Sequence, residues 1–351
     1  MTNSAVTIQR YADGLYGIVP ASGALTAAPG PDTMVLEAIG GHLIWNVLAG
    51  PALPAASIDD VDSAQEWVWA VYGESVAVAL DDFGRDDAPE TTVPVAESGL
   101  SVLAAAAQRL AYAHWASRWW PASVLDGIAA LDPALLDRDI AALTEECDAL
   151  VDGPDAVVPA APVLRVSGLR ASDYALAAGD EPQAAGALVL ARGTAGWDWR
   201  RCPPGLVDAS ESAVSWQLVR DSAATTVAIA VAAHPDRVAD IPDHLRPWAR
   251  VDTGRGEFDT ALRPAHDAWV GESTLSAADS TLRIAIHVPG FGPIPDTAQP
   301  LADADSAEAA LRARVRDFAA ARLRHALDPA AESRFPPLLA EIAAAAEDSD
   351  F

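Results

Sequence analysis

A chain of 351 residues, half of them apolar, has enough material for two domains of ordinary size and a sizeable core. Its formal charge of −27 disfavours nonspecific nucleic-acid binding and adsorption to anionic membrane, and suits a basic partner. All 23 basic side chains are arginine, which excludes Schiff-base lysines, general-base lysines and the phosphate-gripping lysines of P-loop enzymes and kinases.

Cys147 and Cys202 have no metal-type spacing and read as free thiols of a reducing compartment. The first residues, Met1 to Ala5, show no basic region followed by an apolar run. No apolar stretch approaches the length of a membrane span. A cytoplasmic protein is expected.

In chain order, Val6–Tyr11 and Leu15–Val19 flank Asp13-Gly14 and predict a hairpin. Residues 20–33 read as loop. The apolar run Val35–Leu48 predicts a helix, weakened by Gly40-Gly41. Ser63 and Glu66 form a capping box for one helix reaching Leu80. The acidic residues 81–97, with Pro89 and Pro94, read as an exposed connection. Ser98 or Ser101 caps a long helix ending at about Trp119, before Pro121. Asp132 and Pro133 are a good N-cap and N1 pair. Leu136, Ile140, Leu143, Cys147 and Leu150 then form one apolar stripe.

Residues 151–162 hold three prolines and a glycine, and a domain boundary is placed there. Beyond it the strand candidates are Val163–Val166, Ala187–Arg192, Ala213–Arg220, Thr225–Ala232, Trp248–Val251, Glu257–Leu262, Trp269–Leu275 and Leu282–Val288. Ser306 with Glu308 opens a helix to about Leu327, and Pro336-Pro337 starts a last one. The acidic end, Glu347–Phe351, reads as disordered. The expected fold class is α+β. A mainly helical N-terminal unit with a small hairpin (1–153) precedes an antiparallel, sandwich-like β unit with C-terminal helices (160–351).

Several constellations carry possible chemistry. His234, Asp236, Asp240, Asp243 and His244 are the densest set of potential metal ligands. Pro235 and Pro242 break any helix that would align them, so turns and caps explain them better. His266-Asp267 and His287 offer a base with an orienting acid, and Ser273 sits in half of a nucleophile-elbow pattern. His287 alternates with apolar neighbours and fits the solvated face of a strand. Trp115, Trp119 and Trp120, near Arg118, read as packing rather than stacking platforms. The arginines of 311–327 (Arg312, Arg314, Arg316, Arg322 and Arg324) read first as docked on the chain's own carboxylates.

Trp197, Trp199, Arg200 and Arg201 form an exposed-looking loop of the residue types that dominate binding hot spots. The leading expectation is a non-catalytic adaptor or regulator that binds a protein partner through such a loop. No cofactor, nucleic acid or membrane is expected. The alternative is a hydrolase or metal-dependent enzyme using the His and Asp residues of the β unit.

Overall fold

The computed structural model describes residues 5–21, 30–50, 52–85, 89–95, 101–157, 188–221, 224–238, 240–275, 282–292, 301–328 and 335–348. Within these residues the protein is α+β, and its sheets are antiparallel. The chain divides into two compact units. The first comprises Met1–Trp120, Leu131–Pro162 and Asp317–Phe351, and the second Pro121–Ala130 and Val163–Arg316.

Beside its helices the first unit holds a six-stranded sheet, where the sequence predicts a single small hairpin. Its strands are β1 (Ala5–Ala12), β2 (Leu15–Pro20), β3 (Thr33–Ala38), β4 (Gly41–Asn46), β5 (Ala55–Ile58) and β6 (Glu90–Pro94), in the order β3-β4-β5-β2-β1-β6. The hairpin about Asp13-Gly14 forms as the sequence predicts. The run expected as a helix is instead the β3–β4 hairpin. Met34, Leu36 and Ala38 are buried alternately, as are Leu43 and Trp45 across the turn. Gly40 has φ +73, and a Cβ there would lie 2.5 Å from Asp60 O; one on Gly41 would lie 2.2 Å from Ser57 O. The two glycines therefore let the turn close against β5 and the start of the next helix.

That helix region is two helices, α1 (Val61–Tyr72) and α2 (Glu74–Arg85), separated by Gly73 at φ +92. Asp60, not Ser63, is the cap: its carboxylate accepts from Ser63 N and Ser63 Oγ at 3.1 and 2.8 Å. The expected connection over 81–97 contains the end of α2 and strand β6, which pairs with β1 from Ala5↔Pro94 to Gln9↔Glu90.

Helices α3 (Val102–Trp119) and α4 (Pro133–Glu146) follow the sequence closely. Ser101 caps α3 by accepting from Ala104 N; Ser98 lies outside the described residues. Asp132 caps α4, and its stripe from Leu136 to Leu150 is buried. Of the aromatic side chains at the end of α3, Tyr112 and Trp115 are core, and Trp119 and Trp120 are half-buried. Tyr112 stacks on Trp115 with ring centroids 5.5 Å apart, and Trp115 Nε1 donates to Pro31 O at 2.7 Å.

Two C-terminal helices, α5 (Leu301–Leu327) and α6 (Leu339–Asp348), complete the described chain; Glu347 and Asp348, expected in a disordered tail, lie in the last turn of α6, and residues 349–351 lie outside the described residues. In the first unit, Arg322 of α5 is sealed inside. Its Nε and Nη2 donate to the two oxygens of Glu341 at 2.8 and 2.6 Å, and its Nη1 donates to Phe335 O. Glu341 has no exposed surface and also accepts from Tyr112 Oη at 2.6 Å. Burial, and then the Glu341 charge, hold the Tyr112 phenol well above its ordinary pKa.

The second unit carries two sheets. Strands β7 (Leu188–Ala195), β8 (Val214–Arg220), β9 (Thr225–Ala232), β12 (Arg263–Ala265) and β13 (Ala268–Leu275) form a five-stranded sheet, ordered β12-β13-β9-β8-β7. Strands β10 (Trp248–Asp252), β11 (Glu257–Ala261) and β14 (Arg283–His287) form a three-stranded sheet, ordered β11-β10-β14. Apart from Val163–Val166, which lies outside the described residues, every predicted strand of this half is present. In the large sheet one face is core: Val214, Leu218, Val227, Ile229, Val231 and Trp269 are buried. Cys147 in the first unit and Cys202 in the second are both free and buried.

Candidate binding surface

The Trp197–Arg201 segment is not an exposed loop. Trp197 and Trp199 are only 8% and 6% exposed, and the segment closes into a single 3-10 turn, Trp199–Arg201. Trp197 Nε1 donates to Asp208 O at 2.7 Å. Asp198 accepts from Arg200 Nε and Nη2, both at 2.9 Å, and pairs with Arg201 at 3.2 Å. Against the upward push of burial, the hydrogen bonds from Arg200 hold the Asp198 carboxyl below its usual range. Arg200 also meets Glu308 at 2.6 Å. The indoles are thus covered by the chain itself, and the arginine charges are neutralised locally.

Asp208 explains this arrangement. It has no exposed surface, and its carboxylate accepts from Ser123 Oγ, Val124 N and Ser210 N at 2.7, 2.8 and 2.9 Å. It fastens the 121–130 segment to the strand region that Trp197 caps. Arg316 joins the same cluster through Asp126 and Glu211, and Arg312 forks onto Glu211 at 2.7 and 2.9 Å. Arg312, Arg316 and Arg322 therefore dock on the chain's own acids, while Arg314 and Arg324 are exposed.

The proposed metal ligands are not gathered. His234 is half-buried; its Nδ1 accepts from Asp236 N at 3.2 Å, and burial pushes its pKa down to about 4, with Asp208 pulling the other way. Asp236, Asp240, Asp243 and His244 are exposed, and Asp243 pairs with Arg246. Among the described residues no three His, Cys, Asp or Glu side chains are placed to hold a metal ion. His266 lies in the turn between β12 and β13, whereas Ser273 lies far along β13, where its hydroxyl shares a hydrogen bond with Thr260 Oγ1 at 2.7 Å. His287 lies on β14, held below its ordinary pKa by burial with Asp259 opposing.

What the structure does bring together was not singled out from the sequence. The outer face of the five-stranded sheet is an open trough of about 790 Å³. Two rows of side chains cross it. One runs Thr194, Ser215, Ala230, Val270, Arg263 from β7 to β12. The other runs Arg192, Gln217, Ala228, Glu272. All of these line the trough, and all but Ala230 are exposed. Between the margins the outward side chains of the floor include the small Ser215, Ala228 and Ala230, so another chain's backbone can approach closely there. Charges stand at the margins: Arg192 on one edge strand, Arg263 on the other, with Glu272 diagonal to Arg263. Among the described residues neither arginine has an ion-pair partner. Val270, 38% exposed, adds apolar contact area to the trough. A volume of this size lies within the range of ligand sites.

The only signal in the sequence was period-2 alternation. It marks 192, 194, 215, 217, 228, 230, 270 and 272 as outward positions, but says nothing about which strands are neighbours. No family model, curated protein or solved structure matches the chain.

Proposed function

We propose that the protein is a non-catalytic cytoplasmic interaction protein, an adaptor or regulator in a larger assembly, whose partner-binding surface is the outer face of the five-stranded sheet. One observation carries the reading. Arginines and neutral hydrogen-bonding side chains converge on a concave floor, and among the described residues the two arginines have no carboxylate partner, in a chain of net charge −27. A charged side chain without an internal partner, beside exposed apolar surface, is the composition of an interface before its partner arrives. Trp197, Trp199, Arg200 and Arg201 have a supporting part in this reading, because they help set the frame of the second unit. The free state of both buried thiols supports a reducing compartment. Among the described residues no helix is long and apolar enough to cross a membrane.

The test is site-specific photocrosslinking in the native host. A benzoyl-phenylalanine at Gln217 should yield a protein adduct that the same probe at the exposed Glu66 of α1 does not. Arg192→Glu should remove the adduct. Equal adducts from both positions, or none from Gln217, would overturn the assignment of this face.

A further inference from the structure

The charge arrangement of the trough also specifies its occupant. We infer that the partner presents an extended acidic segment, laid across the strands, with two carboxylates held by Arg192 and Arg263. This rests on the sheet face being the binding surface.

Arg192 and Arg263 are on the two edge strands of the sheet, four strand-to-strand steps apart. At about 4.8 Å per step the backbones are roughly 19 Å apart. An extended chain rises about 3.3 Å per residue, so about six residues cover that span. Both arginine arms are long, so two acids about four to six residues apart satisfy both ends. Guanidinium forks match carboxylates bidentately, which favours Asp or Glu over a diffuse negative field.

The middle of the trough fits the rest of such a segment. Ala228 and Ala230 leave room for its backbone, Gln217 offers an amide to its peptide units, and Ser215, whose hydroxyl donates to Ala230 O at 3.2 Å, offers an acceptor, with the Thr194 hydroxyl beside it at the β7 edge. Glu272 stands inside the Arg263 end and repels a third acid there, so it favours a neutral or donor side chain opposite it. The surrounding net charge of −27 makes an acidic partner an unfavourable choice at long range. The attraction is consequently local, confined to the two arginines, and a second copy of this chain has no advantage over other acidic chains. A nucleic acid presents a phosphate at every residue and meets both the overall charge and Glu272.

Fluorescence anisotropy with labelled peptides of about ten residues tests this on the full-length protein. One peptide carries two glutamates about five residues apart in a neutral background; its relatives carry glutamine or arginine at those positions, and a single-stranded oligothymidylate serves as the phosphate probe. The glutamate peptide should bind about tenfold or more tightly than the glutamine one, and should weaken as salt rises. Arg192→Glu with Arg263→Glu should abolish that preference without changing the thermal unfolding midpoint, and Glu272→Gln should tighten binding a few-fold. Equal binding of the glutamate and glutamine peptides, tighter binding of the arginine peptide or the oligonucleotide, or no binding of any probe overturns the inference. If the peptides bind without an acidic preference and Ser215→Trp blocks them, the sheet face remains the binding surface and only the acidic partner is lost.

Discussion

Arg322 and Arg192 carry the same guanidinium in opposite settings. Arg322 is 7% exposed, forks onto a fully buried Glu341, donates to the Phe335 carbonyl and lies 5.1 Å from the centroids of Tyr112 and Phe335. Arg192 is exposed on an edge strand and has no ionic partner among the described residues. The first holds a core together; the second leaves its fork available. With no lysine in the chain, arginine fills both roles, and only the surroundings distinguish them. Arginine content by itself therefore says little about binding here.

The sharpest way to break this comparison is to empty the buried position. Arg322→Met leaves Glu341 without a counter-charge in the interior, and unfolding free energy from urea titration should fall by about 3–5 kcal/mol. Adding Glu341→Leu should restore much of that loss, because the two apolar side chains replace the pair without an orphaned charge. A single-mutant loss near zero would mean that water reaches the pair and that the contrast with Arg192 is false.

His234 offers an effect of intermediate size. Its folded-state pKa of about 4 lies below its ordinary 6.5. Between those values the unfolded chain binds a proton that the folded chain refuses. Its contribution is therefore complete above about pH 6.5 and declines as pH falls toward 4, by about 2 kcal/mol between roughly pH 7 and pH 5. Protonation also removes the Nδ1 lone pair that accepts from Asp236 N. His234→Gln should be less sensitive to pH over that interval. Parallel losses in the two proteins would show an imidazole open to water.

The smallest expected effect concerns the trough. Arg192→Ala with Gln217→Ala should change stability by no more than about 0.5 kcal/mol, as at other surface positions. A larger loss in chemical denaturation would make the outer face a packing surface, and the two arginines would then differ in degree only.

How much of this was legible depends on whether neighbours in sequence or neighbours in space decide each element. The α4 helix was readable because Asp132, Pro133 and the stripe to Leu150 all act locally. The strands of the second unit were readable because one face is buried and the other is not, so alternation survives. Residues 35–48 misled because both chemistries overlap there: the run is apolar enough for a helix, and its glycine pair is demanded by Asp60 and Ser57, distant along the chain. The exposure of Trp197 was misjudged for a similar reason, since its cover depends on Asp208 and the donors that Asp208 collects from the 121–130 segment. The trough was invisible because Arg192 and Arg263 become opposite margins of one face only through the strand order.

The two thiols have a practical meaning. Each unit contains one, and both are shut away from solvent. Burial pushes the Cys147 thiol up to about 12 and raises that of Cys202 as well, so neither ionises in the closed fold at neutral pH. A thiol reagent can modify them only during an opening event. Labelling rates at Cys147 and Cys202, read separately by mass spectrometry, thus report the opening free energy of each unit in the unmodified protein. The molecule comes with one built-in clock for each half of its architecture.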